Sequence, residues 1–149
     1  LQINKHTANA IYDGDNYTEN YYKDLLDANK NIIISSPAIS GQKVYELINM
    51  LKEKQASGVQ ITIVTWTPDS YGFGDAAYWM QLHEDMCKTG FYIKTVEESC
   101  ERFAVIDQEV VWYGNINLLA KTKVDDSIMR VLSNEIAGEL MEITFGDNS

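Results

Sequence analysis

The stretch Ser99–Asn117, SCERFAVIDQEVVWYGNIN, gathers side chains of the kinds that phosphate chemistry uses. Cys100 offers a thiol, which attacks phosphorus when ionised. Arg102 offers a guanidinium that grips a phosphate through two parallel hydrogen bonds. Asn115 and Asn117 offer carboxamides that donate to phosphate oxygens, and Asp107 places a carboxylate at a turn. Residues two apart in a strand share a face. Cys100 and Arg102 are therefore expected to point the same way, Asn115 and Asn117 likewise, and the set to converge on one anion-sized hollow. Lys121, Lys123 and Arg130 follow as a modest basic patch, read either as a phosphate-contacting rim beside Arg102 or as a solvated loop. A plainer reading makes Phe103, Val105, Val110 and Trp112 the core of a hairpin, Asp107 and Gly114 turn residues, and Cys100 a small buried hydrophobe.

The elements that must position these residues are legible from periodicity. Asn16, with Glu19 three positions on, reads as a helix N-cap, and Tyr17, Tyr21 and Leu25 extend a helix near 16–29. Asn31–Ser35 is a β-branched run closed by Pro37. Val44, Leu47, Ile48 and Leu51 define an amphipathic helix over about 41–56, and 59–65 reads as a second strand. Strand, helix, strand predicts a right-handed crossover and a parallel pair. A helix follows with Trp79, Leu82, His83 and Met86 on one face, then strands at 91–94, 103–106 and 110–113, the last two joined by the tight turn 107–109. Ser127–Leu132 reads as a final strand, and Ser133 as the cap of a helix carrying Ile136, Leu140 and Met141. This order implies a mixed sheet with helices on both faces, an α/β fold.

Size and composition bound the function. The chain has 149 residues, 45% hydrophobic and 23% charged, which suits one soluble domain. No apolar run reaches the roughly 20 residues of a membrane span, so no membrane partner is expected. The formal net charge of −10 opposes a phosphate grip spread over the whole surface, while leaving room for one basic cleft. Two cysteines, Cys87 and Cys100, make no disulfide framework and match no zinc spacing, which makes the cytoplasm the expected compartment. No cofactor and no metal are expected. His83, although beside Glu84 and Asp85, reads as a packing or capping group. Gly72-Phe-Gly74 lacks the third glycine of a phosphate loop. Tyr17, Tyr21 and Tyr22 offer either stacking to bases or helix packing. The chain opens on Leu1 and not on Met, so a piece of a longer protein is expected.

The spacing of the motif resembles that of phospholipase D-type phosphodiesterases and nucleases, which carry His-x-Lys, four residues, Asp, and then Gly-Gly/Ser-x-Asn. Cys100-Glu101-Arg102, the four residues Phe103–Ile106, and Asp107 fit that frame, and Gly114-Asn115-Ile116-Asn117 fits its downstream half. Asp126 stands where such enzymes often have an acidic residue. The resemblance covers about 14–143, with 1–13 an N-terminal extension and 144–149 a flexible tail, and it implies a phospholipase D/nuclease-like mixed β-sheet. In the family the motif histidine is the nucleophile, and a second motif copy protonates the leaving group. With one copy per chain, a homodimer is implied. Position 100 is Cys, and a thiol cannot replace imidazole as both nucleophile and general acid. Cys100, Arg102, Asp107 and Asn117 are thus expected to form a degenerate site, with Arg102, Asn115, Asn117, Lys121 and Lys123 left to contact phosphate. The expected role is a domain of a larger nucleic-acid-processing protein, a helicase above all, that binds a phosphodiester backbone or mediates dimerisation. The alternatives are an active phosphodiesterase using Cys100 or water, and a pure protein-interaction module.

Overall fold

The computed structural model describes residues 9–67, 76–97 and 100–146. Its elements in chain order are β1 (Ala10–Asp13), α1 (Thr18–Leu26), β2 (Asn31–Ser35), α2 (Gly41–Ala56), β3 (Gln60–Trp66), α3 (Ala76–Cys87), β4 (Tyr92–Val96), β5 (Phe103–Ile106), β6 (Val110–Gly114), β7 (Ser127–Leu132) and α4 (Asn134–Phe145). The strands form one seven-stranded sheet in the order β1-β7-β6-β5-β2-β3-β4. β2, β3 and β4 run parallel, joined by helical crossovers as the strand–helix–strand pattern requires. β5, β6, β7 and β1 extend the sheet in antiparallel register.

Strand alternation assigns the two faces. Ile32, Ile34, Ile61, Ile63, Ala104, Ile106 and Trp112 share a core with Tyr21 and Leu25 of α1, Val44, Leu47 and Leu51 of α2, and Leu82 and Met86 of α3. The residues between them, Ile33, Phe103, Val105 and Val111, meet Ala137 and Leu140 of α4 on the opposite face. Strands covered on both faces read as continuous apolar runs, which is why IIIS and FAVI carry no polar alternation. The Ser40 hydroxyl caps α2 by accepting from Lys43 N at 3.5 Å, and the Ser133 hydroxyl caps α4 by accepting from Ile136 N at 3.0 Å.

Three expectations are corrected. Residues 10–13 are not an extension, because they form the edge strand β1, paired with Ser127–Arg130. Asn16 does not cap α1. Its Oδ1 accepts from Asp13 N at 2.9 Å inside the β1–α1 turn, and Tyr17 takes the cap position without a side-chain bond. The C-terminal helix runs through Phe145, so 144 and 145 are helical and not part of a tail.

Candidate functional site

The ends of β2, β3, β4 and β6 and the beginning of β5 lie along one edge of the sheet, the carboxyl edge of the parallel strands where open α/β sheets bind ligands. Cys100 lies there, half-buried, with Sγ 3.5 Å from the Ser35 hydroxyl at the end of β2. Ser35 Oγ also donates to the Glu101 carbonyl at 2.6 Å. A cavity of about 240 Å³ opens beside them, lined by Ser35, Val64, Val96, Cys100, Glu101, Ile143 and Thr144. Among the described residues its lining contains one carboxylate and no cationic side chain. Burial pushes the Cys100 thiol above its ordinary pKa, and the Ser35 hydrogen bond and the Arg102 charge only partly offset this. At neutral pH the sulfur is therefore a protonated thiol, a poor nucleophile.

Arg102 does not line this cavity. Residues 100–102 precede β5, which starts at Phe103, so the same-face rule for residues two apart has no strand to act on. Arg102 is half-buried, and its Nε is buried without a hydrogen-bond partner among the described residues. Asn117 is also absent from the lining. Its Oδ1 accepts from Ala38 N at 3.2 Å, tying the loop after β6 to the loop after β2. Asn115 is exposed and does not line the cavity, with Oδ1 accepting from Ser127 N at 2.9 Å. Of thiol, guanidinium and carboxamide, Cys100 alone borders this cavity, while the Arg102 charge still acts on its sulfur.

Asp107 stands at the far end of β5, about 16 Å from Arg102 at roughly 3.3 Å per residue. Its carboxylate accepts from three successive backbone amides, Asn29 N at 3.0 Å, Lys30 N at 2.7 Å and Asn31 N at 3.1 Å. Asp107 and Gln108 both have positive φ, 56° and 59°, and Glu109 N donates to Ile106 O at 3.1 Å. Those are the features of the tight hairpin turn whose twist matches its strands. Asp107 therefore pins the turn to the start of β2. Asp126 has a comparable local role, accepting from Lys123 N at 2.9 Å.

The basic patch separates. Lys121 and Lys123 are exposed on the loop after β6, whereas Arg130 is buried against Asp24 of α1, with Nε 2.7 Å from Oδ2. Trp112 Nε1 donates to the same oxygen at 2.8 Å. Tyr17 and Tyr21 are core residues. Tyr22 is half-buried and donates its hydroxyl to Glu46, so helix packing accounts for these tyrosines. Gly72-Phe-Gly74 lies outside the described residues. Sequence reasoning missed the hydroxyl pair Ser35-Ser36. Ser36 Oγ donates to Ala38 O at 2.6 Å and accepts from Leu119 N at 3.1 Å, locking the two loops together. The available signal was the position of the two serines, one ending an apolar parallel strand and the next just after it.

The family model described as "Cardiolipin synthase, PLD-like domain" matches residues 21–144, and the chain belongs to this phospholipase D-like family. Among solved structures, it is similar to NucT from Helicobacter pylori, at 11% identity and a TM-score of 0.64, covering 91% of this chain and 92% of that one. It is similar to Nuc from Salmonella typhimurium, a phospholipase D family member, at 12% identity and a TM-score of 0.64, covering 91% of each. It is also similar to TrmBL2, an archaeal chromatin protein with a novel mode of DNA binding, at 14% identity and a TM-score of 0.64. There it covers 91% of this chain and 49% of that one. These likenesses establish the fold, a mixed seven-stranded sheet with four helices among the described residues. No curated protein matches the chain in sequence. Among the described residues, no helix is long and apolar enough to cross a membrane.

Proposed function

We propose that this chain is a non-hydrolysing phospholipase D-like domain of a larger nucleic-acid-processing protein, a helicase being the expected parent, and that it serves assembly through a homodimer. The observation that carries the reading is the cavity at the motif edge. Cys100, kept as a thiol by burial, borders it at the position to which the motif resemblance assigns the nucleophile, Glu101 adds a carboxylate, and among the described residues no cation lines the hollow to hold a phosphodiester. Thiolate attack by Cys100 is disfavoured by the same raised pKa. Self-association is supported by a row of exposed apolar side chains beside this edge. Ile11, Met129 and Tyr113 are register partners across β1, β7 and β6, and Tyr113 donates to Glu101 at 2.7 Å.

A second reading, contact with a phosphodiester backbone, is favoured by the partnerless Nε of Arg102 and the exposed Lys121 and Lys123. TrmBL2, whose fold is similar, is a DNA-binding chromatin protein. Under this reading Arg102→Ala weakens binding and flattens its salt dependence by about one counterion. The primary reading is tested by hydrolysis of a chromogenic phosphodiester and of plasmid DNA without added metal. The expected rate is background for the wild type and for Cys100→Ser alike. Turnover well above background that disappears in Cys100→Ser overturns it.

A further inference from the structure

The cavity at the motif edge lacks a grip for anions and carries the parts of a grip for the opposite charge. Glu101 is exposed and lines it, and the Tyr113 hydroxyl donates to Glu101 Oε1 at 2.7 Å. That bond holds the carboxylate from one side, while no described residue donates to Oε2. Ser35 Oγ gives its proton to the Glu101 carbonyl at 2.6 Å, so toward the hollow it acts as an acceptor. Thr144 adds a second hydroxyl, and Val64, Val96 and Ile143 supply apolar wall. Oxygen acceptors beside apolar wall, with no cation in the described lining, suit an aliphatic stem that ends in a positive charge.

The choice between the two basic side chains follows from Tyr113. An arginine binds best when its planar fork meets both oxygens of a carboxylate, and Tyr113 already holds one of them. A lysine ammonium is a compact point charge with three donors, which suits one free carboxylate oxygen and two hydroxyls. The surroundings match in sign. The helix α4, which supplies Ile143 and Thr144, exposes Glu135, Glu139 and Glu142 and carries no basic residue. The formal charge of −10 draws cationic partners from a distance. Arg102 opposes this in part, since its charge reaches the Cys100 sulfur, but it does not line the hollow. Ile143 is 65% exposed, which leaves apolar surface at the mouth that a chain flanking the lysine would cover and a free amine would not. We propose that this cavity receives a lysine side chain of a partner protein, its ammonium on Glu101 and its stem along Val64, Val96 and Ile143. The assignment rests on the reading of this cavity as a non-hydrolysing site.

The test records nitrogen-15–proton spectra of the full chain during titration with a capped glycine peptide that carries a single lysine. Expected is saturable binding that moves the amide signals of Val64, Val96, Ile143 and Thr144 and weakens with added salt. Glu101→Gln keeps the shape of an exposed side chain and should weaken binding about tenfold, as loss of a charge-assisted hydrogen bond does. Acetylating the peptide's lysine should weaken it at least as much. The same peptide with arginine should bind more weakly than the lysine peptide, and Tyr113→Phe, which frees Oε1, should narrow that difference. Binding by Glu101→Gln equal to wild type overturns the site, as does indifference to acetylation or movement of signals only elsewhere. An arginine peptide that binds as tightly overturns the choice of lysine, and equal affinity for butylamine alone overturns the protein partner. Failure of lysine binding and failure of the non-hydrolysing reading are separate results, because the second is read from phosphodiester turnover without any peptide.

Discussion

The sulfur of Cys100 is set by its surroundings in a direction that can be measured. Burial raises its pKa, and the Ser35 hydrogen bond and the Arg102 charge pull the other way without cancelling the effect. A thiol with a raised folded-state pKa keeps its proton through neutrality. Its contribution to stability is complete below the unfolded value and is lost as pH rises through the folded one. In a Cys87→Ser variant, where Cys100 is the sole thiol, iodoacetamide labelling is therefore expected to accelerate at higher pH than for a free peptide cysteine, whose pKa is near 8.5. Unfolding the same variant in urea should move the profile back toward the peptide. Rapid labelling of the folded protein at pH 7 would indicate an activated thiolate and restore Cys100 as a nucleophile.

At the scale of elements, the motif frame turns out to span the whole length of β5. Its acidic member serves the opposite end of the strand from its cysteine. Asp107 gathers three amide donors at the start of β2 while holding the turn into β6. Hydrogen bonds to a charged acceptor contribute about 1.5–3 kcal/mol each, and they share one carboxylate here. Asp107→Ala is expected to lower the free energy of unfolding by about 3 kcal/mol in a urea titration, without altering Cys100 labelling. An unchanged stability would mean that the carboxylate is not structural. This division was hidden in the sequence. Spacing alone fixes which residues belong to a frame, but whether 102 and 107 meet depends on β5 being extended between them. The regular elements were readable because both sheet faces are covered, which leaves runs such as Ile32–Ile34 and the stripe Val44, Leu47, Leu51 unmistakable. β1 escaped because a four-residue edge strand with alternate exposed side chains carries too little apolar signal. Arg130 escaped because a charged residue in a strand reads as solvent-facing until its partner is known, and Asp24 lies 106 residues away in the chain. The convergence expected of Cys100, Arg102 and Asn117 required strand geometry in two segments that are loops.

For the whole molecule, charge and the apolar row together make self-association distinguishable from nucleic-acid binding. Ile11, Met129 and Tyr113 are 75%, 40% and 39% exposed at successive register partners, an apolar strip reaching the β1 edge. Two copies that bury this strip gain from removing apolar area from water. They also bring together chains with a formal charge of −10 each. Repulsion between like-charged copies is screened by salt, since the Debye length falls from about 10 Å at 0.1 M to about 3 Å at 1 M. A homodimer of this chain should therefore tighten as salt rises. Binding to a phosphodiester backbone weakens with salt, because it releases counterions. Sedimentation velocity in 0.05 M and 0.5 M sodium chloride is expected to show the dimer fraction rising with salt. Met129→Glu, which places a charge in the middle of the strip, should shift the chain to monomer at both concentrations. Its unfolding midpoint should stay near that of the wild type, since exposed positions of this kind change stability by no more than about 0.5 kcal/mol. A strict monomer at high protein concentration and high salt would remove the case for assembly. It would leave the backbone-binding reading, carried by Arg102, Lys121 and Lys123, to stand on its own salt dependence.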